Sequence, residues 1–282
     1  MIERKLSYAY ARHALEKIAT ITFGALVVSE LGRRARRALA AIGRQRQMPK
    51  VRTAILAHAY HVELLDEILA CRDVLPELVP LHLTVPIARF DLVRRRTEGL
   101  PAVVLHPCEN RGRDIAPFLA VLGSGGLDGY DAVLKLHTKR SPHLRDGEIR
   151  RKLLFDMLCG ERNATLLALT AFEDRRTGMV GWRGCFRTRP FYWMLNEARV
   201  REIAGRMEVR GDARLGFFEG SMFWFRPAAL AALTELKLRP EDFEAEALQL
   251  DGTLHHAIER CFTIAAWARG YNVRDLHGRV LG

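Results

Sequence analysis

The 282-residue chain contains no CxxC pair, no Gly-x-Gly-x-x-Gly fingerprint, no internal repeat and no low-complexity tract. Without the glycine fingerprint a Rossmann dinucleotide site is not supported. The five cysteines, Cys71, Cys108, Cys159, Cys185 and Cys261, are scattered and odd in number. They suggest neither a zinc site nor a disulfide framework, and read as reduced, buried thiols of a cytoplasmic protein. Long apolar runs are missing as well. The longest near the N-terminus is the 12-residue stretch Ile18 to Ser29, and a membrane span needs about 20 apolar residues. Charges persist through Lys17 and no small-residue cleavage site precedes Glu30, so a signal peptide fits poorly. Acidic residues are scarce at one end only. Residues 1–52 hold 12 Lys+Arg against 3 Asp+Glu, which accounts for +9 of the net +11 and leaves +2 for the rest. A nearly neutral body offers no extended phosphate track, which argues against a nucleic-acid partner.

What is present suits a globular α/β protein: 49% hydrophobic and 27% charged residues. The proline in QRQMPK, residues 45–50, marks a boundary between a basic helical arm, 1–49, and a domain, 50–282. In the arm, IATITFGALVVS followed by RRARRALAAIGRQRQ suits a helix lying on an anionic membrane surface, or equally a helix packed on the domain with a solvated basic face. After the boundary, apolar β-favouring runs (51–60, 78–86, 101–107, 130–137) alternate with helical spacing (61–75, 90–99, 114–126). That alternation predicts a mostly parallel sheet with helices on both faces. The second half is less regular: RKLLFDMLCG and ATLLALTAFEDRRTG read as helices, TGMVGW and FFEGSMFWFRP as strands, and DGTLHHAIERCFTIAAWARG as a long amphipathic helix.

Four stretches carry the chemistry. ENRGRDIAPFL, residues 109–119, places a turn with Asn110, Arg111, Gly112 and Arg113 between a strand and a helix whose first turn holds Asp114. Helix N–H groups and a permissive glycine there suit an anion, while Asp114 reads as a cap, a donor contact, or both. KLHTKRS, residues 135–141, ends the next strand with Lys135, His137, Lys139 and Arg140. Nucleotide-sugar transferases of the GT-A type often carry a metal-binding Asp-x-Asp at this place; cationic side chains can neutralise a diphosphate leaving group instead. LGFFEGSMFWFRPAAL, residues 215–230, surrounds Glu219 with rings, of which Phe218 and Trp224 are candidates to stack on an acceptor sugar, although a core strand explains them as well. QLDGTLHHAIER, residues 249–260, opens a helix with Asp251, as a cap or as a general base, and places His255 beside it. His58, at the end of the first strand, is a candidate to line a nucleotide pocket; no carboxylate or thiol near His58 and His61 completes a metal site.

These four motifs, in this order over roughly residues 50–280, resemble the rhamnan synthesis F family. The resemblance implies a GT-A-like, Rossmann-related transferase of bacterial surface-polysaccharide assembly, using a donor such as dTDP-L-rhamnose and a glycan or lipid-linked glycan acceptor at the inner face of the cytoplasmic membrane. Asp251 would sit where inverting enzymes carry their base, with Glu219, Glu244 and Glu246 as rivals. The basic segment in place of Asp-x-Asp implies a reaction without a metal or other cofactor. The expected reading is therefore an inverting glycosyltransferase with Arg111, Arg113, Lys135, His137, Lys139 and Arg140 on the donor diphosphate. A transferase-like assembly subunit without turnover, or a sugar-phosphate transferase, are the alternatives.

Overall fold

Three of the four apolar runs, 51–60, 78–86 and 130–137, become interior strands covered on both faces, which is why they read as continuous rather than alternating, while 101–107 becomes an edge strand. A computed structural model describes residues 22–29, 31–32, 34–35, 47–75, 77–138, 147–247 and 249–282. Among the described residues the strands are β1 (Thr53–His58), β2 (Leu81–Pro86), β3 (Val103–Cys108), β4 (Ala132–His137), β5 (Thr177–Gly181), β6 (Phe186–Arg187), β7 (Phe217–Phe218), β8 (Phe223–Phe225) and β9 (Asn272–Asp275). Seven form one sheet in the order β3-β2-β1-β4-β8-β5-β9, and β6 pairs with β7 apart from it. Only β8 runs against its neighbours β4 and β5; every other pairing in the large sheet is parallel.

After the arm, the α-helices among the described residues are α1 (Leu65–Asp73), α2 (Phe90–Thr97), α3 (Ile115–Gly123), α4 (Gly147–Cys159), α5 (Arg162–Thr170), α6 (Glu197–Arg206), α7 (Ala231–Thr234) and α8 (Leu254–Ala268). The chain winds from β1 to β2 to β3, then returns across β1 to β4. Right-handed crossovers therefore put α1 and α2 on one face and α3 on the other. Side chains show the same division. Phe118 of α3 packs edge-on against Phe262 of α8 at 5.3 Å, while α1 meets α4. The expected α/β sheet with helices on both faces is the observed architecture.

Three expectations change. Cys71 of α1 and Cys159 of α4, read as reduced thiols, are joined as a disulfide with a Cα–Cα distance of 5.2 Å; the two helices bring together residues 88 apart in sequence. Cys108, Cys185 and Cys261 are free. FFEGSMFWFRP is two strands rather than one, because Gly220 (φ +94°) and Ser221 (φ +53°) both adopt left-handed backbone and turn the chain between β7 and β8. Finally, α6 and β9 form where no element was expected.

Of the arm, residues 22–28, 31–32 and 34–35 are helical. Gly24 lies so close to α4 that a Cβ there would stand 3.0 Å from Leu153 Cδ2, and Val27 is buried. Phe23, Leu26 and Leu31 remain exposed, Leu26 at 60%. Residues 1–21, 30, 33 and 36–46 of the arm lie outside the described residues, and among the described residues no helix is long and apolar enough to cross a membrane.

Candidate functional site

The return of the chain from β3 to β4 opens a crevice between the C-terminal ends of β1 and β4, the place where open α/β sheets bind ligands. His58 and His137 end those strands in direct register. Thr138 closes the floor: its N–H donates to His58 O at 3.0 Å, and its hydroxyl accepts from His61 N at 2.8 Å.

Above this floor sits a buried ion pair. Lys135 is 1% exposed and all three of its N–H donors are engaged, by Asp114 Oδ2 at 2.5 Å, Ser221 O at 2.9 Å and Ser221 Oγ at 3.0 Å. The rings of Phe118, Phe223 and Phe262 surround the ammonium at 5.2–5.9 Å, a favourable setting for a cation out of water. His137 Nδ1 lies 3.2 Å from the same Asp114 oxygen. Burial works to raise the Asp114 carboxyl, but His137 and Lys135 override it and hold the group well below the usual carboxylate range. Asp114 occupies the N-cap position of α3 without a capping hydrogen bond. The expected cap is replaced by the ion pair, and Lys135, expected on a diphosphate, is instead the internal partner of Asp114.

The arginines of the ENRGRD turn are engaged by a distant segment. Arg111 Nη1 donates to Phe243 O at 3.3 Å, Arg113 Nη2 donates to Gln249 O at 2.5 Å, and Arg113 Nε stands 3.5 Å from Glu246. Gly112, at φ +61°, lets Phe243 pack against the turn, since a Cβ would lie 2.6 Å from its ring. Residues 243–247 and 249–250 thus form a strap across the β3–α3 turn. Its far side is held by Glu244, whose Oε1 accepts from Arg199 at 2.5 Å and whose Oε2 accepts from Leu254 N at 2.9 Å. Asn110 is exposed beside this turn. Lys139 and Arg140 lie outside the described residues.

Asp251 follows the strap. It does not cap α8, whose N-cap position belongs to Thr253. Its Oδ1 accepts from Asn196 Nδ2 at 2.7 Å, its Oδ2 from Leu195 N at 2.9 Å, and Arg260 Nη2 stands 3.8 Å from Oδ1. Glu219 is gripped by Arg187, whose Nε donates to Oε2 at 2.8 Å, and faces Arg150 at 3.7 Å. Burial alone would lower the Arg187 pKa, but Glu219 raises it instead. His255, at the start of α8, is buried, with its Nδ1 3.0 Å from Thr253 Oγ1. Burial, then the nearby Arg113 charge, brings its pKa to about 4. Burial also brings His58 to about 4, where its Nδ1 and Thr84 Oγ1 share a 2.9 Å hydrogen bond.

Two aromatic candidates belong to the core. Trp224, 0% exposed, donates its indole N–H to Leu158 O at 3.1 Å, and Phe218 presses on Gly181, where a Cβ would come within 2.5 Å of the ring. Neither offers a face to a sugar. Sequence reasoning missed Ser221, Asn196, Arg187 and Arg199, whose only signal is their partner across the fold. Among the described residues no group of three or more His, Cys, Asp or Glu is arranged to hold a metal. Two cavities, of about 860 and 530 Å³, lie elsewhere, one at the N-terminal ends of the strands and one between α4, α5 and the segment after β9. The crevice is singled out by converging buried charge rather than by volume.

The model of a family described as rhamnan synthesis protein F matches residues 35–271. The chain belongs to that family. Membership places this rhamnan synthesis family protein in polysaccharide synthesis. The match begins inside the segment assigned to the arm, 15 residues before position 50. The chain is also 33% identical over 224 residues, 78% of its length, to the uncharacterized protein WxcX of Xanthomonas campestris pv. campestris, in strain B100 and in strain ATCC 33913. It spans about a third, 32%, of the length of these curated relatives.

Proposed function

We propose that the domain is a GT-A-like glycosyltransferase that moves rhamnose, or a related sugar, from a nucleotide-sugar donor such as dTDP-L-rhamnose to a glycan or lipid-linked glycan acceptor. The observation that carries this reading is the convergence of His58, Asp114, His137 and His255 at the β1–β4 crevice, in a member of a polysaccharide-synthesis family. In this reading the donor lies along the crevice, and its diphosphate meets the guanidinium of Arg113 together with Lys139 and Arg140. Cationic side chains rather than a metal offset the charge that develops on the leaving group. Asp251, aimed by Asn196 and by Leu195 N–H, takes the proton of the attacking acceptor hydroxyl and gives an inverted linkage. Phe23, Leu26 and Leu31, exposed beside the arginines of the arm, support contact with the inner face of an anionic membrane.

The second reading is an assembly subunit without turnover. It is favoured by the engagement of Lys135, Arg111 and Arg113 within the protein itself. Incubation of the purified chain with dTDP-L-rhamnose and rhamnose-terminated oligosaccharides, with and without EDTA, separates the two. EDTA-resistant release of dTDP with a lengthened product, abolished in Asp251→Asn, is the expected result. Donor binding without turnover in the native chain selects the assembly subunit.

A further inference from the structure

The carboxylates around the crevice are not equivalent. Asp251, Glu219 and Glu244 are each held by groups on more than one side. The Asp114 carboxylate is held on one oxygen only: Oδ2 takes both Lys135 and His137, and Oδ1 accepts nothing from the described residues. The side chain keeps 15% of its surface open, between the neutral, buried His58 and His255.

The chemistry of that oxygen narrows what it can meet. A phosphate would be repelled by the carboxylate, an apolar group would leave the oxygen without a partner, and Lys135 already supplies the positive charge. A hydroxyl, which brings a donor and no charge, fits. We propose that Asp114 Oδ1 reads a hydroxyl of the nucleotide-sugar donor, on its sugar or its ribose, and that Lys135 is the positioning residue that aims it. This rests on the transferase reading above and assigns within it what the diphosphate contacts do not: selection among donors. The same two partners make Asp114 too weak a base to take a proton from the acceptor. Lys135 owes its own place to the left-handed turn at Ser221, which contributes two of its three acceptors, so the β7–β8 turn and the β3–α3 turn are set against each other through one ammonium.

Isothermal titration of the intact chain with dTDP-L-rhamnose, dTDP and inorganic pyrophosphate tests the assignment. Asp114→Asn should weaken dTDP-L-rhamnose roughly tenfold or more, the effect of removing a hydrogen bond to a charged group, and leave pyrophosphate unchanged. Equal weakening of dTDP assigns the hydroxyl to the 3′ position of the nucleotide's deoxyribose; unchanged dTDP assigns it to the sugar. Removing the charge beside buried Lys135 endangers folding, so Asp114→Asn/Lys135→Met, which removes both charges, is titrated in parallel and should show the same loss. Lys135→Met alone lets the Asp114 carboxyl rise toward its ordinary value, so donor binding should disappear at a higher pH on acidification than in the native chain. Variants that bind dTDP-L-rhamnose within twofold of the native chain overturn the role of Asp114, and an unmoved pH profile overturns that of Lys135. A native chain that binds none of the three probes overturns the transferase reading, and this proposal with it.

Discussion

The two ends of the same strands treat charge in opposite ways. At the N-terminal ends, around the cavity of about 860 Å³, an open charge pair is wet: Arg52, 73% exposed, stands 3.7 Å from Asp131, itself 36% exposed. Water screens such pairs, and each contributes about 1 kcal/mol or less. At the C-terminal ends the Lys135–Asp114 pair is dry, hydrogen-bonded at every ammonium proton and flanked by histidines held neutral. Dry charge costs several kcal/mol of desolvation that geometry must offset, so a fold tolerates it where the charge has a task. The larger cavity is thus the less informative end.

The largest expected departure comes from Asp114→Ala. It leaves a fully buried ammonium without its counter-charge and should cost about 3–5 kcal/mol in urea unfolding. Less than 1 kcal/mol would mean that water reaches Lys135, and the contrast between the two ends would collapse.

Acid should erode the C-terminal end next. His58 and His255 titrate near pH 4 and His256 near pH 3 in the folded chain, against 6.5 unfolded. Between pH 6.5 and 4 the unfolded chain therefore binds protons that the folded chain does not. Stability present above pH 6.5 is lost as pH falls through that window, by up to about 3 kcal/mol for His58 alone. A flat stability profile over this range would show that the histidines are solvated.

A smaller effect, about 2 kcal/mol, is expected for Gly112→Ala, which meets both a left-handed backbone and the Phe243 ring. Because the strap rests on that contact, faster hydrogen exchange in 243–247 should accompany the loss. Arg52→Ala, at the wet end, should change stability by about 0.5 kcal/mol or less; a larger loss would blur the distinction between the ends.

The strands and their order of appearance were legible because burial on both faces writes itself into local sequence, as in VRTAILAHAY and DAVLKL. The locations of the site residues were legible for a related reason: a polar residue ending an apolar run, such as His58 or His137, falls at the rim of the sheet. Their partners were not. Arg111 and Arg113 find theirs 132 and 136 residues away, and nothing in ENRGRD distinguishes an arginine awaiting a phosphate from one holding a strap. Trp224 and Phe218 mislead for the converse reason, since a ring that stacks on a sugar and a ring that fills a core have the same sequence. Ser221 gave no sign of its positive φ, because serine carries none of the glycine or asparagine signal that marks such turns.

The bond between Cys71 and Cys159 has a topological consequence. The chain between them carries β2, β3 and β4 and, with them, Asp114, Lys135 and His137, so most of the crevice is drawn from a single covalent ring. A protease that cuts the ring once, anywhere from residue 72 to 158, opens it without releasing a fragment: both pieces remain one molecule until a reductant separates them.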